Sequence, residues 1–268
     1  NDAPALRAAH IGIAMGISGT DVAKEASDMI LLDDNFASIV NAIEEGRAVF
    51  GNIRRFLTYI LTSNVPELVP YLAYMLLRIP LPLTVIQILA VDLGTDMLPA
   101  LALGAERPHE QVMRRPPRRP DERLLTWGLL ARAYLWLGPL QAAAAMAVYF
   151  AVLEGGGWEY GDLLAKADPL YLEATTACLA AIVVAQVVNA FLCRHAEEPA
   201  TRFRPSDNPL LLTGIAFEIV LVLAIVYTPA GNAAFGTLPL GADAWLPMVA
   251  LALGIGVLEE LRKFLRRR

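Results

Sequence analysis

The sequence predicts a mainly α-helical protein, a six-helix transmembrane bundle preceded by the end of an α/β domain. The 268 residues are 56% hydrophobic, which is too apolar for a soluble domain of this length. Apolar runs of about 20 residues, the length that crosses a bilayer, recur in the second part of the chain. In the first part, short strand patterns alternate with helical ones. We therefore divide the chain into residues 1–52 and 53–268.

The first predicted domain has the character of a water-soluble protein. Ile11–Met15 and Met29–Leu32 are short apolar runs typical of buried strands. Between them, Thr20 or Asp21 is placed to cap a short helix. After Phe36 the apolar residues recur at helical spacing, with no stop signal before the first membrane span. We therefore expect one helix to continue from the soluble domain into the membrane.

The second predicted domain contains the six spans. We place them at about 56–77, 83–104, 125–153, 174–193, 210–229 and 245–262. Arginines are concentrated in the loops after the second and fourth spans and in the tail, so both chain ends are predicted to be cytoplasmic in a multi-pass membrane protein. These basic loops are expected to contact lipid and not nucleic acid. Cys178 and Cys193 lie in an apolar run and are predicted to be buried free thiols.

Acidic residues inside the first two predicted spans point to a function. Glu67 lies midway along the first span, and Asp92 and Asp96 lie midway along the second. A carboxylate at the centre of a membrane helix costs roughly 2.5–3.5 kcal/mol on insertion scales. Hard cations bind several carboxylate, amide, hydroxyl and carbonyl oxygens at close range. The acids therefore predict a cation site between these two spans.

Helical spacing places further oxygen atoms beside the acids, because positions three and four apart share a face. Pro66 also lacks an N–H, so a carbonyl one turn earlier loses its helical partner. The predicted cation ligands are Ser63, Asn64, Glu67, Asp92, Thr95, Asp96 and the backbone carbonyl of Thr62. A network that only holds the helices together, or one that relays protons, is the alternative for the same residues.

Polar residues in the later spans give weaker signals. Gln186 and Asn189 lie three apart on the fourth span, as further candidate ligands or as interhelical hydrogen-bonding groups. Glu218, early in the fifth span, is expected to snorkel or to pair, and a direct role as a cation ligand is the alternative. Arg132 is expected to snorkel to the cytoplasmic interface.

Several motifs resemble one known family. The opening residues NDAPAL are similar to the end of a hinge motif in P-type cation-transporting ATPases of type II. The segment 15–26 is similar to the block that follows this motif in the same family. Ser63–Glu67 and Asp92–Ala100 resemble the fifth and sixth membrane helices of this family. The resemblance is strongest to the sodium/potassium-pump branch, with the calcium pumps next.

The resemblance implies that residues 1–52 are the C-terminal piece of a HAD-like phosphorylation domain. Asn1 and Asp2 would then lie near the phosphorylation site, with Asp2 near its magnesium ion. The phosphorylated aspartate and the nucleotide-binding domain are absent from this sequence. We therefore expect a C-terminal fragment whose partner is the N-terminal half of the same protein, and which does not hydrolyse ATP alone. The whole protein would use ATP and Mg²⁺ to move sodium/potassium-type cations or calcium across the plasma membrane.

Two features separate this chain from the sodium-pump pattern. That branch has an extra cation site with two acids, which align here with Asn189 and Ile219. The loop Glu154–Glu173 lacks the pattern of accessory-subunit docking, so no such subunit is predicted. A secondary transporter that uses the same buried acids, or a membrane scaffold without transport, are the alternatives from other functional classes.

Overall fold

The structure of the protein is a computed structural model that describes residues 2–109, 112–114, 116–118, 122–200 and 204–267. The prediction for Asn1 lies outside these residues. The chain forms two compact units. The first comprises Asn1–Gly51 and Arg107–Pro120, and the second comprises Asn52–Glu106 and Asp121–Arg268.

The first unit contains a small parallel sheet. Its elements in chain order are α1 (Ala3–Ala8), β1 (Ile13–Met15), α2 (Asp21–Glu25) and β2 (Met29–Leu31), with a 3-10 turn at Val112–Arg114. Ile13 pairs with Met29 in the register of the two strands. The Thr20 side chain accepts a hydrogen bond of 3.3 Å from the Ala23 N–H. Both predicted strands and the Thr20 cap are therefore confirmed.

A tight turn after β2 is held by the carboxylate of Asp34. Asp34 has a left-handed backbone with φ 51°. Its side chain accepts N–H hydrogen bonds of 2.8 Å each from Ile17 and Ser18. The pKa of Asp34 is lowered below its usual value, first by the Ser18 side chain and then by the Ile17 N–H.

The Asp34 turn should loosen in acid. The pKa is lower in the folded state, so the stabilisation is present above the ordinary aspartate pKa and is lost as the pH falls through the folded value. We expect amide hydrogen exchange at Ile17 and Ser18, corrected for intrinsic rates, to accelerate below about pH 4. Asp34→Asn tolerates the same backbone conformation, so this variant should lose the pH dependence. The same pH dependence in the variant would contradict the assignment.

One continuous helix, α3, runs over Ala37–Leu77. The Asn35 side chain accepts the Ala37 N–H at 2.9 Å and so caps its start. Pro66 and Pro70 lie inside the helix without ending it. The expectation of one uninterrupted helix is therefore confirmed.

Five helical segments among the described residues are long and apolar enough to cross a membrane. They are Val85–Gly104, Trp127–Gly155, Pro169–Arg194, Pro209–Tyr227 and Ala242–Arg266. They correspond to the last five predicted spans. The predicted first span, 56–77, is the end of α3, where polar residues and two prolines lower the mean hydropathy, and it is not among the five.

Two of these segments contain a π-helical turn. The segment elements are α4 (Val85–Leu89), a first π-turn (Ala90–Thr95), α5 (Met97–Gly104), α6 (Trp127–Ala131), a second π-turn (Arg132–Leu137), α7 (Gly138–Gly155), α8 (Pro169–Arg194), α9 (Pro209–Tyr227) and α11 (Ala242–Arg266). A 3-10 turn at Pro205–Asp207 precedes α9, and the short helix α10 (Pro229–Phe235) follows it.

The core of the second unit surrounds α8, which packs against α7, α9 and α11. Cys178 and Cys193 are buried free thiols in α8, as predicted. On α7, the Tyr149 hydroxyl donates a 2.7 Å hydrogen bond to the Pro80 carbonyl. This contact fixes the turn between α3 and α4.

Gly138 allows α7 to approach α3 closely. A Cβ atom added at Gly138 would lie 2.5 Å from Cγ2 of Val65 and 2.7 Å from the Ala133 carbonyl oxygen. We expect Gly138→Ala to destabilise the protein by about 1–3 kcal/mol through overpacking, measured as the free energy of unfolding in detergent. Gly155 in the same helix has no atom within 4 Å of such a Cβ, so Gly155→Ala should be neutral. Equal changes in the free energy of unfolding for the two variants would contradict the close approach of α7 to α3.

Arg132 is buried in an ion network, so the expectation that it snorkels is wrong. Its Nε donates to Oε1 of Glu259 at 2.9 Å, and its Nη2 donates to the Leu192 carbonyl at 2.8 Å. Trp136 Nε1 and Arg262 Nε both donate to Oε2 of Glu259, at 2.9 and 2.6 Å. The wide second π-turn places Arg132 and Trp136, four apart, on the side of Glu259. The Arg132 guanidinium is therefore paired with Glu259 inside the helix bundle and does not extend to the membrane–water interface.

Candidate functional site

A stripe of buried polar side chains lies along α3. Tyr59, Ser63 and Glu67 are four residues apart and therefore share one helix face. Tyr59 and Ser63 are fully buried, and Glu67 is 6% exposed. Thr62 is buried beside them, and its hydroxyl donates to the Thr58 carbonyl at 2.7 Å. The α3 stripe thus supplies a phenol, a hydroxyl and a carboxyl group to the interior of the second unit.

The first π-turn supplies the second set of acidic side chains. The Asp96 N–H donates to the Val91 carbonyl five residues earlier, at 3.0 Å, and the Thr95 hydroxyl donates to the same carbonyl at 3.0 Å. Thr95 and Asp96 are buried, whereas Asp92 is exposed. The segment is a π-turn and not the α-helix that the predicted spacing assumed, and of these three predicted ligands Thr95 and Asp96 are the buried ones.

The carboxyl groups of the two helices lie near one another. The Tyr59 hydroxyl donates to Oδ1 of Asp96 at 3.1 Å. Asp96 is 2% exposed, and both Asp92 and Asp96 are near enough to act electrostatically on Glu67. Among the described residues, no lysine or arginine forms an ion pair with these three acids. Neighbouring carboxylates without a basic partner repel one another when all are ionised, so a bound cation or bound protons must balance their charge.

Glu218 on α9 lies near Asp96, a placement that the sequence analysis offered only as the alternative to snorkelling or pairing. It is fully buried and acts electrostatically on Asp96 and on Tyr59. A Cβ atom on Gly214 would lie 3.0 Å from the Pro99 nitrogen, and one on Gly94 would lie 2.8 Å from Cδ2 of Leu221. The face of α9 that packs against α5 and the first π-turn therefore carries Glu218.

The burial of Glu218 contradicts its expected snorkelling. The next residue, Ile219, is 42% exposed, so the inward-facing acid at this level of α9 is Glu218. The signal in the sequence was the spacing of Gly214, Glu218 and Leu221, which places all three on one face.

Many polar atoms of this region have no hydrogen-bond partner among the described residues. They are Ser63 Oγ, Glu67 Oε1, Asp96 Oδ2, both amide atoms of Gln186, Asn189 Nδ2 and both carboxyl oxygens of Glu218. Each buried polar group left unpaired costs about 1–3 kcal/mol. Oxygen atoms dominate the set, which fits a hard cation with water molecules.

The remaining predicted ligands have no described contact with the acids. Asn64 is exposed. Asn189 is buried, and its Oδ1 accepts the Cys193 thiol at 3.4 Å. Cys193 is near enough to Tyr59 to act on it electrostatically, so Asn189 borders the site. Gln186 is buried in α8, but no described hydrogen bond joins it to the acids.

Asp2, which the resemblance places near a magnesium ion, belongs to no metal-binding group of acidic, His or Cys side chains within the described residues. It is exposed at the start of α1 and makes no side-chain cap. Within the described residues, no group of three or more Asp, Glu, His or Cys side chains is arranged to hold a metal ion. A magnesium site near Asp2 would therefore need further ligands from outside the residues that the structure describes.

Comparisons with known proteins agree with this architecture. A family model described as "Cation transporting ATPase, C-terminus" matches residues 80–265. The whole chain is 40% identical to a sodium/potassium-transporting ATPase subunit alpha of Drosophila melanogaster and to a human subunit alpha-4, and 38% identical to a subunit alpha of Hydra vulgaris. It spans 28% of the length of each of these relatives. The chain belongs to the P-type cation-transporting ATPases and matches the C-terminal part of that family.

Proposed function

We propose that this chain is the membrane part of an ATP-driven cation pump, and that it binds the transported cation between α3, the first π-turn and α9. One observation carries the proposal: Glu67, Asp96 and Glu218 are buried, Asp96 acts electrostatically on the other two, and none of the three has an ion-pair partner among the described residues. The carboxylates do not by themselves form a group that could hold a metal ion, so hydroxyl, carbonyl and water oxygens would complete the site. A cation bound there would balance the charge and satisfy the unpaired oxygens. The names of the relatives favour sodium or potassium over calcium as the cargo.

The side chains have distinct roles in this proposal. The Tyr59 hydroxyl, which donates to Asp96, holds that carboxylate in place while its second oxygen faces the cation. Pro66 leaves the Thr62 carbonyl without its usual helical donor. Around the Glu67, Asp96 and Glu218 carboxylates, the remaining proposed ligands are Ser63, Asn64, Asp92, Thr95, the Thr62 carbonyl, Gln186 and Asn189.

Coupling to ATP is proposed to run through α3. This helix contributes residues to both compact units without interruption, so a displacement of its first part would be passed to the α3 stripe. We propose that the first unit completes a HAD-like phosphorylation domain in the full-length protein, where the N-terminal part supplies the phosphorylated aspartate and the ATP and Mg²⁺ sites. The end of α3 would be a sixth span, with both ends of the chain cytoplasmic in the plasma membrane.

The test is the cation dependence of ATP hydrolysis by the full-length protein that contains this chain. The protein should form an acid-stable phosphoenzyme. The amount of this phosphoenzyme and the rate of ATP hydrolysis should both change when one of sodium, potassium or calcium is added. The chain alone should be inactive. A folded full-length protein that forms no phosphoenzyme, or whose hydrolysis responds to none of these ions, would refute the pump.

A further inference from the structure

A buried ion pair joins the C-terminal ends of α5 and α8. Nε of Arg194 donates to Oε1 of Glu106 at 2.8 Å, and Nη2 of Arg194 bonds the same oxygen. The side chains of Arg194 and Glu106 are 4% and 9% exposed. Nη1 of Arg194 also donates to the carbonyl of Arg204, in the segment before α9, at 3.3 Å. The Glu106–Arg194 pair therefore links three segments of the chain at one end of the helix bundle.

The helix α3 contacts both members of this pair through their main chains. The Asn52 side chain donates to the Glu106 carbonyl at 2.6 Å, and Nε of Arg55 donates to the Arg194 carbonyl at 2.8 Å. Nη1 of Arg55 donates to Oδ1 of Asn52 at 2.5 Å, so the two α3 side chains hold one another in place. Hydrogen bonds weaken steeply when distance or angle departs from the optimum. A displacement of α3 would therefore act on both Glu106 and Arg194.

A layer of buried hydrophobic side chains lies between this pair and the membrane acids. The helices α3, α5, α8 and α9 all contribute to this cluster, here called the apolar layer, whose members are Tyr59, Ala100, Ala102, Leu103, Ala190, Cys193, Leu211 and Ile215. On α5 the layer lies between Asp96 and Glu106, and on α8 it ends directly before Arg194. On α9 it lies between Glu218 and Asn208, whose side chain donates to the Ala102 carbonyl at 3.0 Å. The apolar layer thus separates the acids from the ion pair.

We infer that the Glu106–Arg194 pair holds the four helices together at the apolar layer and so closes the cytoplasmic route to Asp96. This inference rests on the proposed function, which assigns the acids to cation binding and this end of the bundle to the cytoplasm. An ion crosses the intact layer only by losing its water, and that loss is costly in apolar surroundings. Glu106 and Arg194 are positioning residues here, because they act on the route through helix packing and not as ligands.

The same pair provides a way to open the route. A buried charge that loses its partner is strongly destabilising unless water reaches it. When α3 is displaced, Asn52 and Arg55 withdraw their hydrogen bonds, and the pair separates only as water enters. The four helix ends therefore have a dry closed arrangement and a wet open one, and the position of α3 selects between them.

The thiol of Cys193 reports whether the apolar layer is open, since it is 2% exposed within that layer. Cys178 is 0% exposed in a different buried cluster and is the internal control. The measurement is the rate at which N-ethylmaleimide alkylates each thiol in the folded full-length protein without ATP, read by mass spectrometry. Glu106→Gln should raise the Cys193 rate by about tenfold or more and leave the Cys178 rate unchanged. An unchanged Cys193 rate, or an equal rise at both thiols, would overturn the inference.

Further variants keep the test decisive if Glu106→Gln fails to fold. Asn52→Ala leaves both charges in place and removes one α3 hydrogen bond, so the Cys193 rate should rise by about 2- to 10-fold. Arg194→Lys keeps the positive charge and should preserve most of the protection, whereas Arg194→Gln should not. Equal Cys193 rates in the lysine and glutamine variants, or no rise in Asn52→Ala, would contradict the closing role of the pair.

The control for the loss of a charge is Glu122→Gln, which breaks the exposed ion pair with Arg54 and should change neither alkylation rate. ATP hydrolysis is a separate readout. Cation-dependent hydrolysis together with a Cys193 rate that Glu106→Gln leaves unchanged would refute the closing role and leave the pump standing. Hydrolysis that responds to no cation, together with the expected rise at Cys193, would refute the pump while the pair still closes this end of the bundle.

Discussion

Replacing Asp96 by asparagine should weaken the apparent cation affinity of the full-length protein by about 10- to 100-fold. The loss of one charged ligand costs about 1.5–3 kcal/mol of binding free energy, which corresponds to this change in affinity. Asp96 is buried, it accepts the Tyr59 hydroxyl, and its second oxygen has no described partner. The affinity is measured as the cation concentration that gives half-maximal ATP hydrolysis. Tyr59→Phe should shift the same value by about 2- to 10-fold, because it removes only a neutral donor.

The control for the Asp96 variant is Glu154→Gln, which removes one negative charge from an exposed position at the end of α7. This change should leave the half-maximal cation concentration unaltered. An Asp96→Asn protein that behaves like Glu154→Gln would exclude Asp96 from the cation site.

Replacing Glu259 by glutamine should destabilise the protein by about 3–5 kcal/mol, since it leaves the Arg132 guanidinium buried without a counter-charge. The side chains of Arg132 and Glu259 are 6% and 0% exposed. Arg262 and Trp136 donate to the same carboxylate and would lose part of their hydrogen bonding. The measurement is the free energy of unfolding of the detergent-solubilised full-length protein.

A matched exposed pair in the same unit is the control. Arg54 and Glu122 form a 3.0 Å ion pair with side chains 34% and 37% exposed. Glu122→Gln should cost at most about 1 kcal/mol, because solvent screens that pair. The double variant Arg132→Met, Glu259→Met should regain part of the loss, since it removes the unpaired charge together with its partner. A Glu259→Gln cost no larger than that of Glu122→Gln would contradict the buried network.

The general architecture could be predicted because it rests on long, strong patterns. The last five spans follow from length and hydropathy, and α3 follows from helical spacing without a stop signal. The α3 face with Ser63 and Glu67 was also predictable, since regular α-helical spacing holds there.

The rest depends on departures from regular spacing and on distant contacts. The π-turn before Asp96 changes which side chains face inward. No residue pattern in Ala90–Thr95 predicts this turn. Arg132 finds its partner Glu259 far away in sequence, so only the packing of α11 reveals that the pair is buried. Glu218 was underestimated because a single acid near a helix start is compatible with snorkelling until its neighbours Gly214 and Leu221 are seen to pack inward.

The most direct test of the cation site is to measure bound radioactive sodium, rubidium or calcium retained by the purified full-length protein. The site between α3, the first π-turn and α9 predicts that one of these ions is retained, and that Asp96→Asn combined with Glu67→Gln abolishes retention while the protein stays folded. Equal retention by the double variant, or no retention of any of these ions by the folded unmodified protein, would contradict the proposed cation site.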